Sequence, residues 1–238
     1  MRNRIDDMGI TPYYSEDNGN IQIFCGDCLK IMKDMPDKSI DLILTDPPYN
    51  VGKQFGEWNE GREFDKEFHQ QWLKETERIA KPNGGGIYMF WAGMSHLKEM
   101  IDTFGNFKQL IYWTKPFAMM VKNRKGYHCF TELIFWKVLS EDFYFNIKEN
   151  HKDYFTTTSC MQRPQEHSHP TQKPLPLVKR LLLASSDKSH TILDPFMGSG
   201  TTLVACKELN RRCIGIEISE KYCEVAKRRL INTQKSMF

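Results

Sequence analysis

Two short apolar runs, far apart in the chain, stop in the same way. Ile40-Asp-Leu-Ile-Leu-Thr45 runs into Asp46-Pro47-Pro48, and Thr191-Ile-Leu193 runs into Asp194-Pro195. A short, almost uninterrupted apolar run is what a strand buried on both faces of a parallel sheet shows, and proline ends it because it has no N–H to give the ladder. In such a sheet, ligands lie beyond the carboxyl ends of the strands, where the strand order reverses. The two Asp-Pro ends are therefore expected to belong to neighbouring strands and to face one site.

The rest of the chain agrees. Ile21–Cys25 alternates as a strand does, and a helical stretch follows from Asp27 to about Met35. The spacing of Phe68, Trp72, Thr76 and Ile79 predicts a helix over Lys66–Ala80, stopped by Pro82 and Gly84–Gly86. Ile87–Trp91 reads as a strand and Ser95–Thr103 as a helix, while Leu110–Trp113 and Glu132–Lys137 read as strands forming an antiparallel edge pair. A helix starts at Pro174 with Leu175, Val178, Leu181 and Leu182 on one face. Gly198-Ser-Gly200 opens another, to about Leu209, then Cys213–Glu217 forms a strand, and Ser219 caps a helix bearing Tyr222, Val225, Ala226 and Leu230. Alternation of this kind implies an α/β fold, a Rossmann-like, doubly wound, mostly parallel sheet with helices on both faces. A length of 238 residues suits one domain better than two. Val51–Phe64, polar and glycine-bearing with Phe55 and Trp58, reads as a surface loop, and Asn146–Ser168, without periodicity, as a long one.

Composition mainly excludes. Thirty-three basic residues against 30 acidic ones leave a net charge of +3, so any nucleic-acid footprint must be local. No run is apolar enough to span a membrane, and the polar start lacks the core of a signal peptide, so a cytoplasmic protein is expected. Seven scattered cysteines read as reduced thiols. Cys25-Gly-Asp-Cys28 lacks the second pair a zinc site needs, and both are expected in the core; Cys160, His167 and His169 suggest no metal either. Tyr88, Phe90 and Trp91 read as core packing.

Between strand and helix, Leu193–Thr202 is a turn whose glycines let a ligand lie against the backbone at a helix N-terminus. Glu217 ends the following strand, where a carboxylate grips ribose hydroxyls. No lysine follows the second glycine, which excludes a phosphate loop, and Leu203 occupies the third glycine position of a dinucleotide fingerprint. A nucleoside cofactor fits. In Asp46-Pro47-Pro48-Tyr49 the prolines fix the backbone so that the Asp46 carboxylate and the Pro47 carbonyl, both acceptors, converge on one amino group, while Tyr49 offers its face to a planar ring. Such an aromatic amine is a poor nucleophile, and two acceptors on its hydrogens favour the pyramidal nitrogen that attacks a methyl donor.

This combination resembles the amino-methylating DNA methyltransferases over nearly the whole chain, from about Ile21 to Leu230. Asp46-Pro-Pro-Tyr49 matches their catalytic motif, Asp194-Pro-Phe-Met-Gly-Ser-Gly200 their S-adenosylmethionine motif, and His169-Pro-Thr-Gln-Lys-Pro174 the segment preceding the cofactor strand. With the catalytic motif first, the order is similar to the permuted class called beta. The resemblance implies catalysis by Asp46, Pro47, Pro48 and Tyr49. It also implies a cofactor site of Asp27, Asp46, Lys173, Asp194, Pro195, Phe196, Gly198, Ser199, Gly200, Thr201 and Glu217, with Asp27 near the adenine, Glu217 on the ribose and Lys173 at the methionine end.

Residues 20–114 would form a catalytic half, 115–168 a small target-recognition region and 169–238 a cofactor half, all in one domain. Aspartate at position 46 favours adenine N6, since serine is more typical of relatives that methylate cytosine N4, and the target base would flip out to stack on Tyr49. No Pro-Cys pair is present for C5 chemistry. Lys115, Lys122, Arg124 and Lys125, beside Phe117 and Tyr127, are candidates for DNA contact, and the Val51–Phe64 loop for closure over the base. The family also implies homodimers. Rival readings are a cytosine-N4 enzyme in the same site, an RNA or protein-amide methyltransferase, a catalytically silent DNA-binding protein, against which Asp46, Tyr49, Gly198 and Glu217 argue, and a nicotinamide oxidoreductase, which Leu203 disfavours.

Overall fold

The computed structural model describes residues 9–50, 54–55, 58–59, 61, 63–92, 96–119, 129–146, 152–157 and 172–234. Their strands are β1 (Tyr14–Glu16), β2 (Ile21–Cys25), β3 (Leu42–Thr45), β4 (Gln54–Phe55), β5 (Trp58–Asn59), β6 (Gly86–Trp91), β7 (Gln109–Met119), β8 (Cys129–Lys137), β9 (Tyr154–Thr156), β10 (Thr191–Asp194) and β11 (Arg212–Glu217). The helices are α1 (Cys28–Lys33), α2 (Lys66–Ile79), α3 (Leu97–Phe104), α4 (Leu175–Ser185), α5 (Thr201–Glu208) and α6 (Glu220–Ile231). The main sheet runs β1-β2-β11-β10-β3-β6-β8-β7-β9.

Its centre, from β2 to β6, is parallel. The two Asp-Pro strands are neighbours, with Ile192 beside Leu42 and Leu193 beside Ile43. From them the chain proceeds outward in opposite directions, β10 to β11 and β3 to β6, so the order reverses between them. A buried clamp sets their alignment: Asp41 accepts from the Thr191 amide at 2.9 Å and from Lys81 Nζ at 2.6 Å.

Helices cover both faces. Trp72, Leu73 and Ile79 of α2 pack with Ile31 and Met32 of α1 and Met100 and Phe104 of α3 on one side. Leu181 and Leu182 of α4, Leu203 and Val204 of α5, and Ala226 and Leu230 of α6 pack on the other. Tyr88, Phe90 and Trp91 are core residues, as expected. The expected antiparallel pair is β7 with β8, and β9 extends the sheet one strand beyond it. Neither β9 nor β1 is foreseen by periodicity, because each has three residues and takes its conformation from one neighbour. The glycine run after α2 has a packing cause as well: a Cβ at Gly84 would lie 2.1 Å from the Asp41 carbonyl and one at Gly85 2.0 Å from that of Ser185.

Among the thiols, Cys28 is buried, and burial pushes it up to about 12, whereas Cys25 is exposed, which corrects its expected place in the core. It is the last residue of β2 and follows Phe24 out of the core. No helix among the described residues is long and apolar enough to cross a membrane.

Candidate active site

The carboxyl ends of β2, β3, β10 and β11 open into a cavity of about 400 Å3 that takes in Asp27, Asp46–Asn50, Lys173, Asp194–Ser199, Thr201 and Glu217. Most of the residues expected at the site are thus together. Asp27 sits there because it caps α1, accepting from the Leu29 amide at 2.8 Å. Glu217 accepts from the Gly198 amide at 3.0 Å and the Ser219 amide at 2.9 Å, so it ties β11 to the glycine turn. Burial pushes its carboxyl above the usual range. Asp194 holds the same turn from the other side, accepting from Thr202 Oγ1 at 2.6 Å and the Phe196 amide at 3.2 Å. The guanidinium of Arg229 donates to the Ser199 hydroxyl at 3.0 Å and the Thr201 hydroxyl at 3.2 Å.

Gly200 departs from expectation. It faces α6 rather than the cavity: its φ is +77°, and a Cβ would meet that of Ala226 at 2.7 Å. The glycine is needed for helix packing at the N-cap of α5, not for close approach of a ligand.

Asp46 has both oxygens engaged. Tyr49 donates its hydroxyl to Oδ1, and Lys173 Nζ lies 2.6 Å from Oδ2 and 3.1 Å from the Tyr49 oxygen, closing a triangle of side chains. The Tyr49 ring is buried, edge to face with Trp91 at 5.1 Å. Lys173 is buried too, and Glu132 lies on its far side at 3.6 Å.

Lys115, read from the sequence as a DNA contact, is corrected by the structure. It is buried, paired with Glu132 and placed over the Trp113 ring at 4.6 Å. It stands on the long strand β7, which continues past the predicted end and turns the lysine inward. Lys122, Arg124, Lys125 and Tyr127, together with His169–Thr171 and half of the Val51–Phe64 loop, lie outside the described residues.

Two features escaped the sequence. Glu132 is one; its signal was a lone acid leading the apolar run Leu133–Trp136. The other is a buried relay behind the catalytic motif: Trp72 Nε1 donates to His69 Nδ1 at 3.0 Å, and His69 Nε2 is 3.0 Å from the side-chain oxygen of Asn50. A ring nitrogen that accepts from an indole carries no proton, so the other nitrogen donates to Asn50 and the imidazole is neutral. Burial agrees, lowering His69 to about 4.

Two buried groups therefore titrate against each other. Burial, with the Asp46 charge adding, raises Asp194 to about 7, so its stabilising share is complete below the ordinary carboxylate range and lost as pH rises through about 7. His69 works in the opposite sense: its share is present above the ordinary histidine value and lost as pH falls through about 4. Replacing Asp194 with asparagine is expected to leave a stability that climbs more steeply with pH between 4 and 6.5 than in the wild type. Urea titrations across that window check it, and parallel curves for the two proteins would contradict it.

With this geometry in view, comparison with known proteins is direct. A family model described as DNA methylase, of the N6/N4 type, matches residues 40–228. The chain is 34% identical over 235 residues to the type II methyltransferase M.HpaI of Haemophilus parainfluenzae, covering 88% of this chain and 74% of that protein. It is 33% identical over 256 residues to M2.MboI of Moraxella bovis, covering 93% and 92%. The solved complex of M1.HpyAVI with SAM superposes with a TM-score of 0.67 at 29% identity, over 88% of this chain and 99% of that one. Two Asp-Pro strand ends sharing one cavity, and a match of this extent, place the chain in the N6/N4 family of DNA methyltransferases.

Proposed function

We propose that this protein transfers a methyl group from S-adenosylmethionine to the exocyclic N6 of an adenine flipped out of DNA. The observation that carries the reading is the meeting of the β3 and β10 ends in one cavity, which brings Asp46 and Tyr49 up against the Asp194–Gly198 turn and Glu217. The cavity suits the cofactor. The Glu217 carboxylate accepts the Gly198 amide on one oxygen and the Ser219 amide on the other, and retains acceptor capacity for a ribose hydroxyl. Asp27, Phe196 and Lys173 all line the cavity, and in this reading they meet the adenine edge, the adenine face and the methionine carboxylate. Pro195, Ser199 and Thr201 complete the wall.

When bound, the cofactor supplies an electrophilic methyl group on a sulfonium. Asp46 and the Pro47 carbonyl accept the hydrogens of the target amine, so its lone pair turns toward the methyl carbon. For this the Tyr49 hydroxyl leaves Asp46, and its ring is freed to stack on the base. A nitrogen–carbon bond would form as the methyl–sulfur bond breaks with its electron pair left on sulfur, and Asp46 would pass the surplus N–H proton to water. The neutral relay Trp72–His69–Asn50 holds the backbone just after Tyr49 in place.

Adenine is preferred because aspartate leads the motif. Lys122, Arg124 and Lys125 are proposed phosphate contacts, the chain is read as one domain with the halves given above, and a homodimer is the assembly to look for by sedimentation. The reading is tested by incubating the protein with methyl-labelled S-adenosylmethionine and mixed-sequence duplex DNA, then digesting to nucleosides. Label in N6-methyladenosine is expected, and label in N4-methylcytosine would contradict the choice of base. Replacing Glu217 with glutamine, which keeps one acceptor but loses the charge-assisted bonds, is expected to weaken direct binding of the cofactor by about tenfold or more.

A further inference from the structure

Asp46 has a difficulty that the proposed reaction must resolve. Even with Tyr49 withdrawn from one oxygen, the other oxygen of Asp46 still holds the Lys173 ammonium at 2.6 Å. A carboxylate so engaged is a weaker acceptor for a further N–H. Methyl transfer also moves positive charge onto the amine nitrogen, beside a cation that shares the same carboxylate. Lys173 cannot escape to water, since it is only 8% exposed and is walled by Phe90 and Tyr49, whose ring centroids lie 5.3 and 5.6 Å from Nζ. A buried ammonium moves only to another anion.

One is in place. Glu132, on β8, stands opposite Trp113 of β7, with Oε2 3.6 Å from Lys173 Nζ and Oε1 paired with Lys115. The four groups form a line, Lys115, Glu132, Lys173 and Asp46, of two cations and two anions with no net charge. Burial opposes the charged forms of Glu132 and Lys173. The two lysines outweigh it at Glu132, holding that carboxyl below its usual range, and the two carboxylates outweigh it at Lys173, holding that amine above its own.

We propose that Glu132, anchored by Lys115, is a positioning residue for methyl transfer: it is the second seat of the Lys173 ammonium, which withdraws from Asp46 toward Glu132 as the target amine binds. Glu132 is not among the residues that line the cavity. It acts through Lys173, and so sets how fully Asp46 is available as an acceptor. The two long strands on either side of residues 120–128 thereby take part in the chemistry, and Lys115 serves the reaction from inside the protein rather than DNA from its surface. The proposal rests on the functional reading above.

The experiment compares wild type, Glu132→Gln and the double variant Glu132→Gln with Lys115→Met, measuring thermal stability, cofactor affinity, KM for DNA, and turnover at saturating cofactor and DNA. Glu132→Gln leaves Lys115 buried without its partner, so it is expected to lose stability. The double variant removes that stranded charge and is expected to recover most of it. Turnover separates the explanations. With no second seat for Lys173, both variants are expected to turn over about tenfold more slowly or worse, with cofactor affinity within about threefold of wild type. Recovery of turnover together with stability in the double variant, or wild-type turnover in Glu132→Gln, would overturn the proposal. Absence of DNA methylation by the wild type would overturn the functional reading itself, and the proposal with it.

Discussion

Replacing Asp46 with asparagine is expected to lower the rate of methyl transfer by on the order of 10^3, while the cofactor binds as before. The side chain keeps its size and one oxygen but loses its charge, and presents an NH2 where the reaction needs an acceptor. Loss of the charge also releases Lys173, whose 2.6 Å contact with Asp46 is the shorter of its two carboxylate contacts, toward Glu132. Because Asp46 lies at the end of β3 and Glu217, proposed to hold the ribose, at the end of β11, the loss is expected in the chemical step. An unchanged single-turnover rate would remove Asp46 from the catalytic role.

Lys173→Met is expected to be the costliest single change to the fold among the site residues, at about 3–5 kcal/mol. The lysine lies between Asp46 at 2.6 Å and Glu132 at 3.6 Å, and removing it leaves two carboxylates facing each other across a buried gap with only Lys115 to offset them. Methionine matches the stem but brings no charge. Urea unfolding measures the change: the midpoint falls and the slope holds, since the same surface is exposed on unfolding. A difference under about 1 kcal/mol would show that this line of charges is solvated, as exposed ion pairs are.

Much of the site was legible because its chemistry is local. Asp46-Pro-Pro-Tyr49 and the Asp194–Gly198 turn are consecutive residues whose prolines and glycines dictate the backbone whatever surrounds them. Asp27 and Glu217 could be placed because the first follows, and the second ends, a strand that periodicity reveals, and the neighbouring of β3 and β10 followed from the general behaviour of doubly wound sheets. What was not legible depends on partners distant in sequence. Lys115 looked like one member of a basic stretch, and nothing near it shows that it turns inward to meet Glu132. Gly200 looked like a ligand glycine because its motif invites that, whereas its close neighbour is Ala226 on another helix. His69 reads as one more residue on the buried face of α2 until Trp72 and Asn50 are seen on its two nitrogens. Edge strands β1 and β9 are too short for any pattern to accumulate.

In the proposed reaction the ends of β3 and β10 divide the work within one cavity, with Asp46 acting on the amine and the turn with Glu217 holding the donor. The most direct test is single-turnover methyl transfer to DNA at saturating S-adenosylmethionine, alongside direct measurement of cofactor binding, for Asp46→Asn and Glu217→Gln. The account predicts opposite defects: Asp46→Asn binds the cofactor normally and barely transfers the methyl group, while Glu217→Gln binds weakly and, once saturated, transfers at close to the wild-type rate. If both variants lost binding and rate together, or if Asp46→Asn failed only to bind, the division of labour between the two strand ends would be contradicted.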